Sequence, residues 1–220
     1  MNKLDIEQAR FNMIEQQIRT WEVLDQNILD LLGRVPREDF VPLPYRSMAF
    51  ADISIPLGHG QEMMPPKLEA RLVQSLNIKP HDVVLEIGTG SGYLTALLAS
   101  LSQHVFSVDS IGEFVTQAQQ KMLAHQLGNV TIEQGDAAKG WDAHGPYDVI
   151  AITGSLPLFA EHFQRSLKVG GRLFMIVGSA PAMEALLITR MGEAQWTQES
   201  LFETDIPALL NAPQPPAFIL

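Results

Sequence analysis

The stretch V83-V-L-E-I-G-T-G-S-G-Y-L-T-A-L-L-A99 decides the fold. DVVLEI (82–87), aliphatic from Val83 except for Glu86, has the pattern of a short strand buried on both faces. Gly88, Gly90 and Gly92 follow, and GYLTALLASL (92–101) reads as a largely apolar helix. A strand, a glycine-rich turn and a helix together make a ligand cradle. Glycine lets the backbone turn tightly and approach a bound group, and the helix N-terminus offers free N–H groups.

Outward from this unit the alternation repeats. Strands are expected over HVFSVD (104–109), NVTIEQ (129–134), YDVIAIT (147–153) and RLFMIV (172–177). Helices are expected over GEFVTQAQQKMLAHQL (112–127) and PLFAEHFQRSL (157–167), with Gly170–Gly171 as a plain turn. ALLITRM (185–191) and QWTQESLFETDI (195–206) read as two adjoining strands, and NAPQPPAFIL (211–220) as a loosely held extension. Strands alternating with helices imply βαβ units, so the fold class is α/β with a doubly wound, mostly parallel sheet. No linker or repeat divides the 220 residues, and one domain is expected. Its parts are N-terminal helices and an acceptor loop over 1–80, a nucleotide core over 81–190, and a terminal strand and tail over 191–220.

The glycine spacing is G-x-G-x-G and not the G-x-G-x-x-G of dinucleotide binders. It points to S-adenosyl-L-methionine, with Glu86, Gly88, Thr89, Gly90 and Gly92 as cofactor residues. Asp109 ends the next strand at about the 20-residue separation expected of an acid that grips ribose hydroxyls, with Ser110 beside it. After the third strand, Gly135 and Asp136 are placed for the adenine amino group, although Asp136 alone equally suits a helix cap. Thr153, Gly154 and Ser155 follow the fourth strand and would sit beside the transferable methyl. Asp148 is expected to fix a strand start.

Bulk properties narrow the function. A net charge of −10 with Lys and Arg scattered singly disfavours a nucleic-acid partner. The absence of cysteine excludes disulfides, thiolate catalysis and cysteine-bound zinc, and the six histidines show no metal-ligand spacing, so no metal is expected. No apolar run approaches a membrane span, and MNKLDIEQARFNMIEQQIR is too charged for a signal peptide. A cytoplasmic, monomeric protein without membrane contact is expected.

Residues 5–33 carry two amphipathic helices that break near Thr20, Trp21 and Asp25. GRVPREDFVP ends them, and Arg37 is expected to pair with Glu38 or Asp39 at the surface. The four prolines and the glycines Gly58 and Gly60 of residues 43–66 read as irregular loop, before a helix over 66–77.

VPREDFVP, YRSMAFADISIPLGHGQ, LEIGTGSGYLTALLA, GNVTIEQGDAAKGW, PYDVIAITGSLP and LKVGGRLFMIVG stand in the order found in protein-L-isoaspartate O-methyltransferases. The resemblance covers roughly residues 10 to 180. It implies methyl transfer from S-adenosyl-L-methionine to a carboxylate of damaged aspartyl residues in a protein or peptide, leaving S-adenosyl-L-homocysteine, as a step in protein repair. Relatives carry a Thr-Ile-Ser-like segment after G-x-G-Q, and its serine is the residue usually treated as active. Here that segment reads Glu62, Met63, Met64, and the serine position falls on Met64.

Methionine cannot donate a hydrogen bond to an acceptor carboxylate. Three readings follow. Other donors, such as backbone N–H groups, Thr153 or Ser155, sustain isoaspartyl repair; a different, small-molecule acceptor is methylated with His59 or Glu62 as general base; or the protein binds the cofactor without turnover. The plainer expectation for His59 is a solvated loop histidine, for Glu62 a surface carboxylate, and for Met63 and Met64 core filler.

Overall fold

The computed structural model describes residues 3–216. The chain opens with helix α1 (Lys3–Met13), which passes through a π-turn over Ile14–Ile18 into a 3₁₀ turn over Arg19–Trp21. Helix α2 (Gln26–Arg34) starts where the Asp25 carboxylate accepts the Asn27 N–H at 2.9 Å, and it buries Ile28, Leu29, Leu31 and Leu32. Residues 43–66 are more ordered than their prolines suggest. They hold a 3₁₀ turn (Leu43–Met48) and a hairpin of β1 (Ile55–Gly58) and β2 (Gln61–Met63). Pro65 and Pro66 then start helix α3 (Pro66–Leu76), their missing N–H groups falling where a helix has no use for them, and left-handed Asn77 ends it.

The remaining elements alternate. They are β3 (Val83–Ile87), α4 (Tyr93–Ala99), β4 (His104–Asp109), α5 (Gly112–Ala124), β5 (Val130–Gln134), β6 (Tyr147–Leu156), α6 (Glu161–Arg165) and β7 (Leu167–Ser179). Strands β8 (Ala182–Gly192) and β9 (Gln195–Thr204) follow. Seven strands form one sheet in the order β5-β4-β3-β6-β7-β8-β9, parallel from β5 to β7 and antiparallel at the β8 and β9 edge. This is the expected Rossmann-like, mostly parallel sheet.

Two details differ from the sequence reading. The helix expected over 157–167 shrinks to the five residues of α6, and β7 starts before the two glycines. Gly170 and Gly171 form a bulge within that strand, where the register jumps from Tyr147↔Leu167 to Val149↔Arg172. A Cβ on Gly171 would stand 2.9 Å from the Lys168 carbonyl oxygen, so packing rather than a turn requires glycine. Of the terminal extension, residues 217–220 lie outside the described residues.

Apolar side chains cover both sheet faces. One cluster joins the N-terminal helices, α3, α4 and α5 through residues such as Leu32, Leu72, Leu97 and Ala118. The other gathers Leu85, Ile150, Phe163 and Leu173. The winding direction reverses between β3 and β6, which places a crevice at the carboxyl ends of these strands. After β9 the chain returns there. Ser155 N–H donates to the Pro207 carbonyl at 3.0 Å and Leu209 N–H to the Ser155 carbonyl at 2.9 Å, laying residues 207–209 beside the end of β6.

Candidate active site

The crevice holds a cleft with about 750 Å³ of empty space, including the space open to solvent at its mouth. One end is built from backbone. Gly88, Gly90 and Gly92 have φ of 95°, 50° and 82°, values that carry strain for any other residue. At Gly88 the space is closed as well, because a Cβ would meet Thr153 Oγ1 at 2.1 Å. Asp109, 8% exposed, lines the cleft beside them. Its Oδ2 accepts the Gly90 N–H and its Oδ1 the Ile111 N–H, both at 2.9 Å. These bonds fix the carboxylate and leave lone pairs for hydroxyl donors.

Ser110, Gly135 and Asp136 continue this wall. Gly135 N–H donates to the Asp109 carbonyl at 2.9 Å, and the Trp141 ring packs so closely on Gly135 that a Cβ would come within 2.5 Å of it. The Asp136 carboxylate accepts from Ala138 N–H and from Asn211 Nδ2, each at 3.0 Å. It therefore serves as turn cap and cleft wall at once.

Glu86, Thr89 and Gly92 do not line the cleft. Glu86 is fully buried beneath it, accepting from Thr95 Oγ1 at 2.5 Å and Ser107 Oγ at 2.6 Å, while its Oε1 has no partner. Burial pushes this carboxyl up to about 8, against the two hydrogen bonds that lower it, so it is largely protonated at neutral pH. Thr89 Oγ1 lies 2.6 Å from the same Ser107 hydroxyl. The trio supports the glycine loop from below.

The other end of the cleft is built from side chains. The β1–β2 hairpin contributes Leu57, Gln61, Glu62 and, just past β2, Met64, and the returning C-terminal segment contributes Ile206, Pro207 and Leu209. Met64 is 7% exposed, and its carbonyl accepts from Arg37 Nη2 at 2.6 Å. Here the surface pairing expected for Arg37 is overturned. Arg37 is fully buried, forms an ion pair with Glu69, donates Nε–H to the Ala49 carbonyl at 2.9 Å and lies 4.9 Å above the Tyr93 ring. Glu38 pairs with Arg10 at 2.5 Å, and only Asp39 pairs at the surface, with Arg46.

Thr153 and Ser155 point their hydroxyls at the main chain. Thr153 Oγ1 lies 2.9 Å from the Ile87 carbonyl and 2.8 Å from that of Gly88, and buried Ser155 donates to the Ile206 carbonyl at 3.1 Å. His59, at the hairpin tip with φ of 54°, lies outside the cleft lining, with Nε2 2.9 Å from Glu113 Oε2 on the surface. Gly88, Gly90, Asp109, Ser110, Gly135, Asp136, Glu62, Met64 and Thr153 thus come together in one cleft. Gln61 falls within the loop from Gly58 to Pro65 that the sequence assigns to the acceptor side, whereas Ser54, Leu57, Ile206, Pro207, Leu209 and Leu210 were missed by the sequence reading. The alternation just before Gly58-His59-Gly60 was the signal for the first two. Among the described residues no helix is long and apolar enough to cross a membrane, and no group of three His, Asp or Glu could hold a metal ion.

The family model of protein-L-isoaspartate(D-aspartate) O-methyltransferases (PCMT) matches residues 8–206. The chain belongs to this family. A protein-L-isoaspartate O-methyltransferase of Rhodopseudomonas palustris is 37% identical to it over 201 residues, covering 91% of this chain and 92% of the relative. A protein-L-isoaspartate O-methyltransferase 2 of Marinobacter nauticus is 35% identical over 214 residues, covering 96% and 98%. Among solved structures, a Plasmodium falciparum β-aspartate methyltransferase (PCMT) in complex with S-adenosyl-L-homocysteine superposes with a TM-score of 0.75 at 18% identity, covering 93% of this chain and 97% of that one. The PCMT family fold is therefore shared along nearly the whole chain.

Proposed function

We propose that the protein transfers the methyl group of S-adenosyl-L-methionine to a carboxylate of isoaspartyl residues in proteins and peptides. The observation that carries this reading is the lack of a positioned base at the side-chain end of the cleft. His59 sits outside it, and Glu62, exposed on the hairpin, has no hydrogen-bonded relay behind it among the described residues. A carboxylate acceptor, with a reference pKa near 4, is already ionised at pH 7 and needs no base.

The residues present fit the cofactor. The closed space at Gly88 and the left-handed Gly90 leave room only for bare backbone against a ligand, and the Asp109 carboxylate keeps lone pairs for the two ribose hydroxyls. Gly135 and Asp136 form the wall for the adenine, and Glu86 and Thr89 hold the loop rather than the ligand. When bound, the cofactor supplies a sulfonium methyl whose C–S bond breaks as the O–C bond of the ester forms, so that one cation and one anion vanish and no proton moves. The chain's own task is placement in a partly apolar cleft, by Leu57, Met64 and Leu209 on the acceptor side. Such placement can supply about 7–11 kcal/mol in well-oriented cases.

The same reading takes the chain as a monomeric, cytoplasmic enzyme with one domain over 1–220. The deciding experiment is methyl transfer from labelled S-adenosyl-L-methionine to an isoaspartyl peptide beside the matching aspartyl peptide. Selective labelling of the first is expected. Tight S-adenosyl-L-homocysteine binding with no labelling of either peptide would sink the carboxylate reading and turn attention to small-molecule acceptors, with Glu62 as base.

A further inference from the structure

We infer that the Ser54 hydroxyl holds the acceptor carboxylate; this rests on the carboxylate reading above. The hairpin register pairs Ile55 with Met63 and Pro56 with Glu62. Ser54 and Met64 are the residues that flank the last pair of this ladder, one before β1 and one after β2. Ile55 and Met63 are 1% and 3% exposed and point into the core, so strand alternation turns Ser54 and Met64 to the other face. Both line the cleft.

The competing donors are accounted for. Thr153 and Ser155 spend their hydroxyl hydrogens on backbone carbonyls, and Ser110 sits beside Asp109 at the opposite end. Met64 has no hydrogen to donate. Ser54 is half-buried, and no hydrogen bond engages its hydroxyl among the described residues. The hairpin thus carries its free hydroxyl on β1's side of the ladder and a methionine on β2's side. Ser54 and Met64 line the same cleft just beyond the Ile55–Met63 pair, so a donor at 54 reaches the space that a donor at 64 would serve.

The chemistry favours a single donor of this kind. One hydrogen bond to the non-reacting carboxylate oxygen fixes the group's orientation and leaves the other oxygen undressed and nucleophilic. The apolar Met64 beside it keeps water from the reacting oxygen. The Gln61 amide, which also lines the cleft and has no partner among the described residues, is the one rival donor on the hairpin.

The test compares Ser54→Ala, Gln61→Met and the transposed double variant Ser54→Ala/Met64→Ser with the wild-type chain. Three quantities are read: kcat/KM for an isoaspartyl peptide, Kd of that peptide on the S-adenosyl-L-homocysteine-loaded protein, and Kd of S-adenosyl-L-homocysteine itself. Ser54→Ala is expected to lower kcat/KM roughly 10- to 100-fold, as for one lost hydrogen bond to a charged group. It should weaken peptide binding and leave S-adenosyl-L-homocysteine affinity unchanged, which also shows that the variant is folded. The double variant, with the hydroxyl returned across the ladder, should regain most of the loss. Peptide turnover and binding by Ser54→Ala within about two-fold of wild type overturns the inference, as does a loss found only in Gln61→Met. A wild-type chain that binds S-adenosyl-L-homocysteine but leaves the peptide unmethylated fails at the preceding step, before any variant is compared, and removes both readings together.

Discussion

The two ends of the cleft are made of different material. At the glycine end the walls are main chain: left-handed Gly88 and Gly90, and an Asp109 carboxylate locked by two N–H groups. At the hairpin end they are side chains held from behind by one buried cation, Arg37, which ties Met64, Ala49 and Glu69 together. A backbone wall tolerates little change because every position has a conformational requirement. A side-chain wall can exchange its chemistry if the frame behind it stays rigid. The glycine motif that resembles the PCMT family's lies at the first end, and Met64, where the resemblance places a serine, lies at the second.

Removing the frame is the harshest way to break this contrast. Arg37→Met leaves Glu69 buried and unpaired and should destabilise the fold by about 3–5 kcal/mol in urea unfolding. Arg37→Met/Glu69→Met should recover much of that stability and keep S-adenosyl-L-homocysteine affinity while losing peptide affinity. Equal losses of both affinities would erase the distinction between the ends. At the backbone end, Gly88→Ala combines a positive φ with the Thr153 hydroxyl in the path of its Cβ. A loss of about 2–4 kcal/mol and a collapse of S-adenosyl-L-homocysteine binding are expected, and near-wild-type calorimetric affinity would refute the backbone account.

Glu86 sharpens the contrast through pH. Its folded pKa, about 8, lies above the value of 4.5 for an unburied carboxyl. Between the two the native state holds a proton that the unfolded state has released. Its stabilising contribution is therefore complete below about 4.5 and is lost as pH rises towards 8, at a slope of at most about 1.4 kcal/mol per pH unit. Glu86→Gln, which copies the neutral form, should gain on wild type steadily from pH 5 to pH 8 and level off above. A gap that does not vary with pH would contradict the buried, protonated carboxyl. The smallest effect belongs to the rim. His59→Ala removes an exposed pair with Glu113 and should shift stability by less than about 0.5 kcal/mol. Its kcat/KM should keep the wild-type pH profile, whereas a lost acidic limb would mark His59 as a base.

The parallel sheet was legible because each strand is short, apolar and followed by its own helix, and the glycine spacing with Asp109 one strand later located the cleft. What escaped the sequence reading depends on distant partners. VPREDFVP reads as a surface turn, since nothing near Arg37 reveals that Glu69 will be brought beneath it by α3. Pro56, Gly58, Gly60, Pro65 and Pro66 hid the hairpin, because residues that end strands elsewhere here form its tip and its exit. Glu86 looked like a ligand because it precedes the glycines. Strand alternation instead turns it away from the cleft, towards Thr95 and Ser107. The cleft wall at Ile206, Pro207, Leu209 and Leu210 resembles the family's final turn only loosely in sequence, and main-chain bonds to Ser155 set its place.

That last wall has a consequence for how the protein is made. A chain growing from its N-terminus has the whole glycine loop, Asp109 and the hairpin outside the ribosome long before Ile206 to Leu209 emerge. A nascent chain stopped after β8 contains every residue of the cleft's backbone end and still has one side open. The binding site is closed only when Ile206 to Leu210 are in place, so cofactor binding on translating ribosomes would report the emergence of that segment rather than the folding of the core.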